Sequence, residues 1–330
     1  MITRRLVVIA LGAGALAPLA SFAQQQDKVR RIGFLGARSR STQSNPDVYY
    51  DAFTRGMREL GYIEGKNLVI EWRFADGKYE RLPGLAAELV QMKVEVIMTH
   101  STPATQALQR ATSAIPIVFV AVSDPIGSGI AVSLARPGGN ITGLTNILSE
   151  LSAKHIELLK IILPKLSRVA VFVNPDNPSH PAVLKSIQAA ARQVGIKVLP
   201  LDVHTPEEIE RGFATMKRER AEALINASDP FLSLQKQRIT ELALKNRIPS
   251  ISSTREDVQA GGLMSYGTSF IGLYRRAATF VDKILKGTKP AELPIEQPTR
   301  FEMLINRKTA NALGLKINNE LLLRADEVIE

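Results

Sequence analysis

The chain has 330 residues, 45% of them hydrophobic and 22% charged, and it contains no cysteine. This composition is typical of a globular protein, and it excludes disulfides, thiolate metal sites and a lipid-modified cysteine. The formal net charge is +10, but aromatic residues make up only 5% and the basic residues are scattered, so a nucleic-acid-binding surface is not indicated. The length suits two lobes better than a single core.

The N-terminal stretch RRLVVIALGAGALAPLASFAQ (4–24) has two interpretations. Its G-x-G-x-x-A pattern within 11–18 could open a dinucleotide-binding fold, but Pro18 interrupts the helix that must come next. Two arginines, an apolar run and the small-x-small sequence at 21–23 instead match a secretory signal. We therefore predict a signal peptide over 1–23 and a periplasmic protein without a lipid anchor. The choice between general and twin-arginine export stays open.

From residue 30 onward, short apolar segments alternate with amphipathic helical patterns. The predicted strands are 31–36, 67–74, 94–100, 115–124 and 140–147, then 168–175, 196–203, 222–229, 248–253 and 262–268, and finally 301–306. The predicted helices are 47–60, 79–92, 102–114, a short one ending at 136–139, 149–163, 181–194, 206–217, 231–246, 270–286 and 308–313. Strands that alternate with helices of this length imply parallel sheets with right-handed crossovers.

The alternation runs through two series, which predicts two doubly wound lobes with a cleft between them. We assign 28–146 plus 269–292 to the N-terminal lobe and 147–268 plus 293–330 to the C-terminal lobe. The proline-rich segment 289–298 is predicted to be extended and to cross between the lobes.

Several predicted helices begin with a capping side chain followed by proline: Asn45-Pro46, Thr102-Pro103, Asp124-Pro125, Thr205-Pro206 and Asp229-Pro230. Most of these pairs come directly after a strand, and ligands of parallel sheets bind at the carboxyl ends of strands. The positive end of a helix there suits a carboxylate or another anion. Capping without any ligand is the simpler explanation for each pair taken singly.

The sequence contains no recognisable catalytic set. Its four histidines have no metal-ligand spacing, and neither a G-x-S-x-G elbow nor a phosphate-binding loop occurs. His155 is interpreted as a surface side chain, whereas His100 ends a strand and is expected to line the cleft. Asp124 and Asp229 could face the cleft as an acid–base pair, although capping explains both. We predict no enzymatic activity, no cofactor and no metal.

Four stretches carry a family resemblance: VSDPIGSGIAVSLARPGGNITGL (122–144), AVFVNPDNPSHP (170–181), GGLMSYG (261–267) and the segment 275–315. They are similar to the tryptophan-binding-like (TrpX-like) family of periplasmic substrate-binding proteins of ABC transporters. The resemblance implies a type I periplasmic-binding fold, that is, an α/β protein with two Rossmann-like lobes joined by a three-strand hinge. It also implies a small-molecule ligand such as an amino acid, ABC permease and ATPase subunits as partners, and a monomer.

Together with residues that follow the predicted strands, the resemblance gives a set of candidate binding residues, with the ligand carboxylate near Thr102. The set is Ala37, Arg38, His100, Ser101, Thr102, Pro103, Ser123, Asp124, Asn174, Ser179, Ser228, Asp229 and Tyr266. Relatives that hold amino acids often show Asp-Asn before a helix of the second lobe, but this chain reads Ser228-Asp229-Pro230. Whether an α-amino group is recognised therefore stays open. Arg38 and Arg40 would suit a second anionic group on the ligand.

Together these features predict a solute-binding protein that traps a small carboxylate-bearing ligand, an amino acid or an aromatic acid, and delivers it to a permease. A sensory protein that docks on a membrane receptor is the alternative. A sugar-responsive repressor would need a helix-turn-helix before the first lobe, and residues 24–30 are too short for one. An enzyme would need a catalytic set. The identity of the ligand and the oligomeric state stay open.

Overall fold

The computed structural model describes residues 29–40 and 47–330. The predicted signal peptide at 1–23 and the predicted helix start at Asn45 and Pro46 lie outside the described residues. Within the described part of the chain, none of the helices has both the length and the apolar character that a membrane span requires.

Strands and helices succeed one another closely along the chain. The strands are β1 (Arg30–Gly36), β2 (Leu68–Phe74), β3 (Ile97–His100), β4 (Ile117–Val122), β5 (Ile141–Thr145), β6 (Arg168–Val173), β7 (Lys197–Asp202), β8 (Ala223–Asn226), β9 (Ser250–Ser252), β10 (Met264–Thr268), β11 (Phe301–Asn306) and β12 (Glu327–Ile329). The helices are α1 (Val48–Glu59), α2 (Leu82–Gln91), α3 (Thr102–Ala111), α4 (Leu148–Ile162), α5 (His180–Gln193), α6 (Pro206–Glu219), α7 (Pro230–Leu234), α8 (Lys236–Lys245), α9 (Arg255–Gln259), α10 (Phe270–Leu285), α11 (Arg307–Leu313) and α12 (Asn319–Leu323). Short 3₁₀ turns occupy Tyr79–Arg81 and Pro290–Glu292.

In the described part of the chain the strands form two sheets, one in each lobe. The first has the order β2-β1-β3-β4-β5 and is parallel throughout. The second has the order β12-β11-β10-β9-β8-β6-β7, with β10 and β11 antiparallel. Its β7-β6-β8-β9-β10 part repeats the order of the first sheet, so both lobes are doubly wound.

Each sheet is covered by helices on both faces, which explains why its strands are almost continuously apolar. In the first lobe α1 and α10 pack on one face, where the buried ring of Phe34 meets Tyr50 edge to face at 5.0 Å between centroids. Helices α2 and α3 pack on the other face. In the second lobe α4, α5 and α11 cover one face, and α6, α7 and α8 cover the other.

Three chain segments cross between the lobes: the links β5–α4 and β10–α10, and the approach to β11. The first two touch where the Thr268 hydroxyl donates to the Asn146 carbonyl at 3.4 Å. In the third, Glu296 extends the first sheet by pairing beside Leu144. Leu293 and Ile295 are buried in the cores of the first lobe. The predicted start of the C-terminal lobe at 293 is therefore wrong by several residues.

Two predicted helices differ from the structure. Residues 125–129 form turns rather than a helix before the glycine pair at 138–139. The helix predicted over 231–246 is divided, since α7 ends before Gln235 and α8 begins directly after it. Gln235 has ψ near 8°, outside regular helical geometry, and this local change turns the chain between the two helices.

Candidate functional site

A cavity of about 500 Å³, including its mouth, lies between the lobes at the carboxyl ends of strands from both sheets. Its walls are formed by Arg38, Tyr49, His100, Ser101, Thr102, Ala121, Ser123, Asn146, Asn177, Ser179, Ser228, Asp229, Pro230, Ser233, Thr254, Phe270 and Tyr274. Its position, between two lobes at the ends of parallel strands, is that of a small-molecule site.

Eight of the predicted site residues line this cavity, namely Arg38, His100, Ser101, Thr102, Ser123, Ser179, Ser228 and Asp229. Among the rest, Ala37 lies behind the wall and donates its amide to His100 at 3.1 Å, and Asn174 supports the Asp229 carboxylate from behind at 3.2 Å. Pro103 is buried in the first turn of α3 and does not line the cavity. The lining residues belong to both lobes, as the position of the predicted cleft requires.

Two predicted site residues, Asp124 and Tyr266, lie away from the cavity and have partners elsewhere. The Asp124 carboxylate accepts the amide of Gly127 at 2.8 Å and so caps a turn rather than a helix. Tyr266 packs its ring near Phe301, and its carbonyl accepts a hydrogen bond from His155 at 2.8 Å. His155 is buried, so its interpretation as a surface side chain is wrong.

Several lining residues were not among those predicted from sequence: Tyr49, Ala121, Asn146, Asn177, Pro230, Ser233, Thr254, Phe270 and Tyr274. Phe270 and Tyr274 begin a helix that comes directly after β10, so the same rule that selected Thr102 points to them. Asn177 belongs to the NPDN sequence that also contains Asn174. Tyr49 gave no such signal, because its spacing with other apolar residues also fits an ordinary core face.

The first lobe presents unpartnered donors after β1 and at the start of α3. Among the described residues, Ser101 Oγ, Thr102 Oγ1 and Arg38 Nε are buried without a hydrogen-bond partner. Ser101 precedes the helix with φ of 71°, a region that side chains other than glycine rarely occupy. Its backbone is held there because its amide donates to Val120 and its carbonyl accepts from Thr105. The predicted cap Thr102 is instead the first helical residue.

Arg38 supplies the positive charge of this end of the cavity. Its guanidinium pairs with Asp47 at 2.9 Å and lies over the ring of Tyr49 at 4.5 Å. Burial alone would lower its pKa, but the surrounding Tyr50, Tyr274 and Asp47 raise that pKa above its ordinary value. The side chain therefore remains a fixed cation whose Nε–H has no partner among the described residues.

His100 is held neutral beside Arg38. Its Nε2 accepts the amide of Ala37, so its proton lies on Nδ1. Burial, together with the charge of Arg38, lowers the pKa of His100 well below its ordinary value. The imidazole therefore stays uncharged near neutral pH and adds no charge to the cavity.

Aromatic rings form one wall of the cavity. Tyr49 and Tyr274 are stacked with centroids 5.4 Å apart, and Phe270 lies 5.7 Å from Tyr49. Rings at such distances attract beyond the burial of their area. An apolar or aromatic part of a ligand would pack well against this wall.

The second lobe contributes a carboxylate that is surrounded by donors. Asp229 Oδ1 accepts the amides of Phe231 and Leu232, so it caps α7. Asn177 Nδ2 donates to its Oδ2 at 2.8 Å. The neighbouring Ser179 is fixed in turn because its hydroxyl donates to Asn177 Oδ1 at 2.8 Å.

Two tyrosines hold the lobes together across the cleft. The Tyr79 hydroxyl of the first lobe donates to Asp229 Oδ2 of the second at 2.7 Å. The Tyr49 hydroxyl donates in the same way to the carboxylate of Glu256. Burial raises the pKa of Glu256 and raises the pKa of Tyr49 well above its ordinary value. The lobes are therefore in a closed arrangement.

The arrangement suits ligand capture. Within residues 29–40 and 47–330, no group of three or more His, Asp or Glu side chains could hold a metal ion. Two doubly wound lobes that close on a cavity with unpartnered polar groups at one end and an aromatic wall define a ligand-binding protein of the type I periplasmic-binding fold. The chain belongs to the family described as ABC transporter substrate binding protein, whose profile matches residues 44–329. This finding confirms the family resemblance seen in the sequence.

Individual relatives agree with this assignment. A tyrosine-binding protein of Clostridioides difficile (strain R20291) is 27% identical over 278 residues, which are 83% of this chain and 80% of that protein. The crystal structure of a conserved domain protein from Vibrio cholerae is 25% identical with a TM-score of 0.84, covering 91% of this chain and all of the other. An ABC domain from Streptococcus pneumonia in complex with L-Trp is 24% identical with a TM-score of 0.83, covering 91% and 99% of the two chains. The predicted fold class is thus confirmed.

Proposed function

We propose that this protein is the solute-binding component of an ABC importer and that it traps a small carboxylate-bearing ligand, an amino acid or an aromatic acid. The observation that carries the proposal is the set of unpartnered buried donors on Arg38, which follows β1, and on Ser101 and Thr102 at the start of α3. A buried donor without a partner costs about 1–3 kcal/mol, so these groups need an acceptor within the cavity.

A carboxylate meets the requirements of this end of the cavity. It accepts several hydrogen bonds at once, and the first turn of α3 adds free amide hydrogens and the positive end of a helix dipole. The aromatic wall beside it would hold an apolar body. The names of two relatives, a tyrosine-binding protein and a domain in complex with L-Trp, support the same class of ligand.

Transport would result from the closed arrangement. A ligand that contacts both lobes stabilises closure, because it binds the closed form better than the open one. The closed protein would then deliver its ligand to the permease and ATPase subunits as a monomer, with no chemistry done on the ligand. The signal-like residues 1–23 support export to the periplasm by cleavage after Ala23.

A binding screen tests the ligand class. L-amino acids, aromatic acids and dicarboxylates would be screened by thermal shift, since binding raises the melting temperature by mass action. Affinities of the hits would then be measured by calorimetry on the wild type and on the double variant Ser101→Ala, Thr102→Val. We expect at least tenfold weaker binding in the double variant.

The matched control for this screen is Ser149→Ala. Ser149 Oγ is also buried without a partner among the described residues, but it does not line the cavity. Its removal should leave affinity unchanged. Equal affinity of the wild type and the double variant, or no response to any carboxylate, would overturn the proposed site.

Export is tested separately. The full-length chain would be expressed in a Gram-negative host, and the periplasmic fraction would be examined by N-terminal sequencing. We expect a mature protein that begins at Gln24, whereas a chain retained in the cytoplasm with residues 1–23 attached would contradict the export proposal.

A further inference from the structure

We infer that the ligand carries a carboxylate but no α-ammonium group, so the preferred substrates are desamino acids rather than amino acids. The inference rests on the proposed function, and it concerns the other end of the same cavity. An α-amino acid places a cation beside its carboxylate, and a closed site must offer that cation an acceptor, preferably a carboxylate.

Among the described residues, Asp229 is the one acid that lines the cavity. Its Oδ1 accepts the backbone amides of Phe231 at 2.8 Å and Leu232 at 3.1 Å and the side-chain amide of Asn174 at 3.2 Å. Its Oδ2 accepts the Tyr79 hydroxyl at 2.7 Å and the side-chain amide of Asn177 at 2.8 Å. The carboxylate therefore already has five donors.

Five donors exceed the lone-pair positions of a carboxylate, which number about four. An ammonium group could reach Asp229 only by displacing one of them. The amides of Phe231 and Leu232 belong to the first turn of α7 and cannot leave without unwinding it. Displacing Tyr79 would break a hydrogen bond that holds the two lobes together. Each route weakens the closed state that binding is supposed to stabilise.

Three neighbouring side-chain acceptors also have donors, and the unpartnered hydroxyls of Ser101 and Thr102 are those that the proposed function assigns to the carboxylate. Asn177 Oδ1 accepts both the amide and the hydroxyl of Ser179. Asn146 Oδ1 accepts the amide of Leu148 at 3.4 Å. The Glu256 carboxylate, behind the aromatic wall, accepts the Tyr49 hydroxyl.

Arg38, whose guanidinium is paired with Asp47, also disfavours a cation at the carboxylate end of the cavity. Arg38 supplies a permanent positive charge at the cavity wall, and the buried His100 beside it is neutral. An ammonium group beside that carboxylate would lie on the same side of the cavity as Arg38, and the two like charges would repel. A carboxylate on an aryl or alkyl chain pairs with the donors of the first lobe and leaves the aromatic wall to its apolar part.

Matched ligands that differ only in the amino group test the inference. Calorimetry would compare 3-phenylpropanoate with L-phenylalanine, 3-(4-hydroxyphenyl)propanoate with L-tyrosine and 4-methylpentanoate with L-leucine, with phenethylamine as the amine that lacks a carboxylate. We expect each acid to bind at least tenfold more tightly than its amino acid and phenethylamine not to bind. Tighter binding of the amino acids would overturn the inference and leave the carboxylate proposal intact. If the amine binds as well as the acids, or if no acid or amino acid binds, the proposed function fails and the inference fails with it.

Two variants test whether the donors already bound to the Asp229 carboxylate cause the preference for the acid over the amino acid. Tyr79→Phe removes one donor and frees part of Oδ2, so the preference for the acid should shrink several-fold even though both affinities fall. Asp229→Asn removes the charge, and it should weaken both members of a pair by the same factor. An unchanged preference in Tyr79→Phe, or a selective loss of the amino acid in Asp229→Asn, would overturn the inference. Circular dichroism would establish that both variants are folded, and the Tyr79→Phe comparison decides the inference if the Asp229→Asn protein does not fold.

Discussion

The Tyr79 hydroxyl donates a hydrogen bond across the cleft to the Asp229 carboxylate, with 2.7 Å between the two oxygens. Tyr79 begins the short 3₁₀ turn before α2 in the first lobe, and Asp229 caps α7 in the second. Burial raises the pKa of Tyr79 well above its ordinary value, so the phenol keeps its proton at neutral pH. The closed protein thus has a charge-assisted hydrogen bond between its lobes that requires no ligand atom.

The first prediction is that Tyr79→Phe shifts the protein towards an open state. Hydrogen bonds to charged groups contribute about 1.5–3 kcal/mol, so the closed state should lose about tenfold or more in population relative to the open state. Small-angle scattering should show a larger radius of gyration, and ligand affinity should fall by a similar factor.

The control for this experiment is Tyr62→Phe. The Tyr62 hydroxyl donates to Asp282 at 2.9 Å, but both residues belong to the first lobe. Tyr62→Phe should leave the radius of gyration and the affinity unchanged. Equal radii for wild type and Tyr79→Phe at every ligand concentration would refute a role of this hydrogen bond in closure.

The alternation of strands and helices was sufficient to predict both lobes, because it depends on local periodicity and on the right-handed crossover rule. The positions of single polar residues were harder to predict. Asp124-Pro125 resembles a helix start as closely as Asp229-Pro230 does, yet only Asp229 caps a helix, since residues 125–129 form turns. A capping dipeptide alone does not determine whether the next residues form a helix or a turn.

His155 shows a second limit of the sequence. It lies among charged and apolar residues of a helix, and its burial depends on the carbonyl of Tyr266, which is more than a hundred positions away. Contacts between distant segments, such as Tyr49 with Glu256, are likewise absent from local patterns. The rule that selects strand ends identified Ser101 and Thr102 because their role depends on local backbone geometry.

The second prediction is that the double variant Ser101→Ala, Thr102→Val stabilises the ligand-free protein while it weakens binding. Both hydroxyls are buried and lack partners among the described residues. Removing a buried unsatisfied group relieves about 1–3 kcal/mol. Thermal unfolding without ligand should therefore occur at a higher temperature than in the wild type, and the increase on adding ligand should be smaller. A lower melting temperature without ligand would show that these hydroxyls have partners in solution.

The third prediction concerns stability in acid. Burial lowers the pKa of His155 to about 4 from its ordinary value of 6.5. The unfolded chain therefore binds a proton on this side chain below pH 6.5, whereas the folded protein does not until about pH 4. The contribution of neutral His155 to the free energy of unfolding is therefore fully present above pH 6.5. It is lost as the pH falls towards 4, by about 3 kcal/mol in total.

The variant His155→Gln tests this dependence, because the glutamine amide can donate to the Tyr266 carbonyl without titrating. Urea unfolding between pH 7 and pH 4 should show a shallower loss of stability in the variant than in the wild type. Part of the loss should remain, since burial also lowers the pKa of His100 and His180. Identical slopes for His155→Gln and wild type would contradict the prediction.

The fourth prediction concerns the backbone that supports the cleft. A Cβ atom on Gly267 of β10 would lie 2.0 Å from the carbonyl oxygen of Ser253. The Ser253 carbonyl could make room for this Cβ only if β9 and the adjoining cavity residue Thr254 also moved. We expect Gly267→Ala to destabilise the protein by about 3 kcal/mol or more and to weaken ligand binding. In the control Gly84→Ala, the added Cβ meets nothing within 4 Å inside α2, so it should raise stability by about 0.5–1 kcal/mol. Urea unfolding followed by circular dichroism measures both changes, and equal stabilities of the two variants would show that Ser253 moves freely.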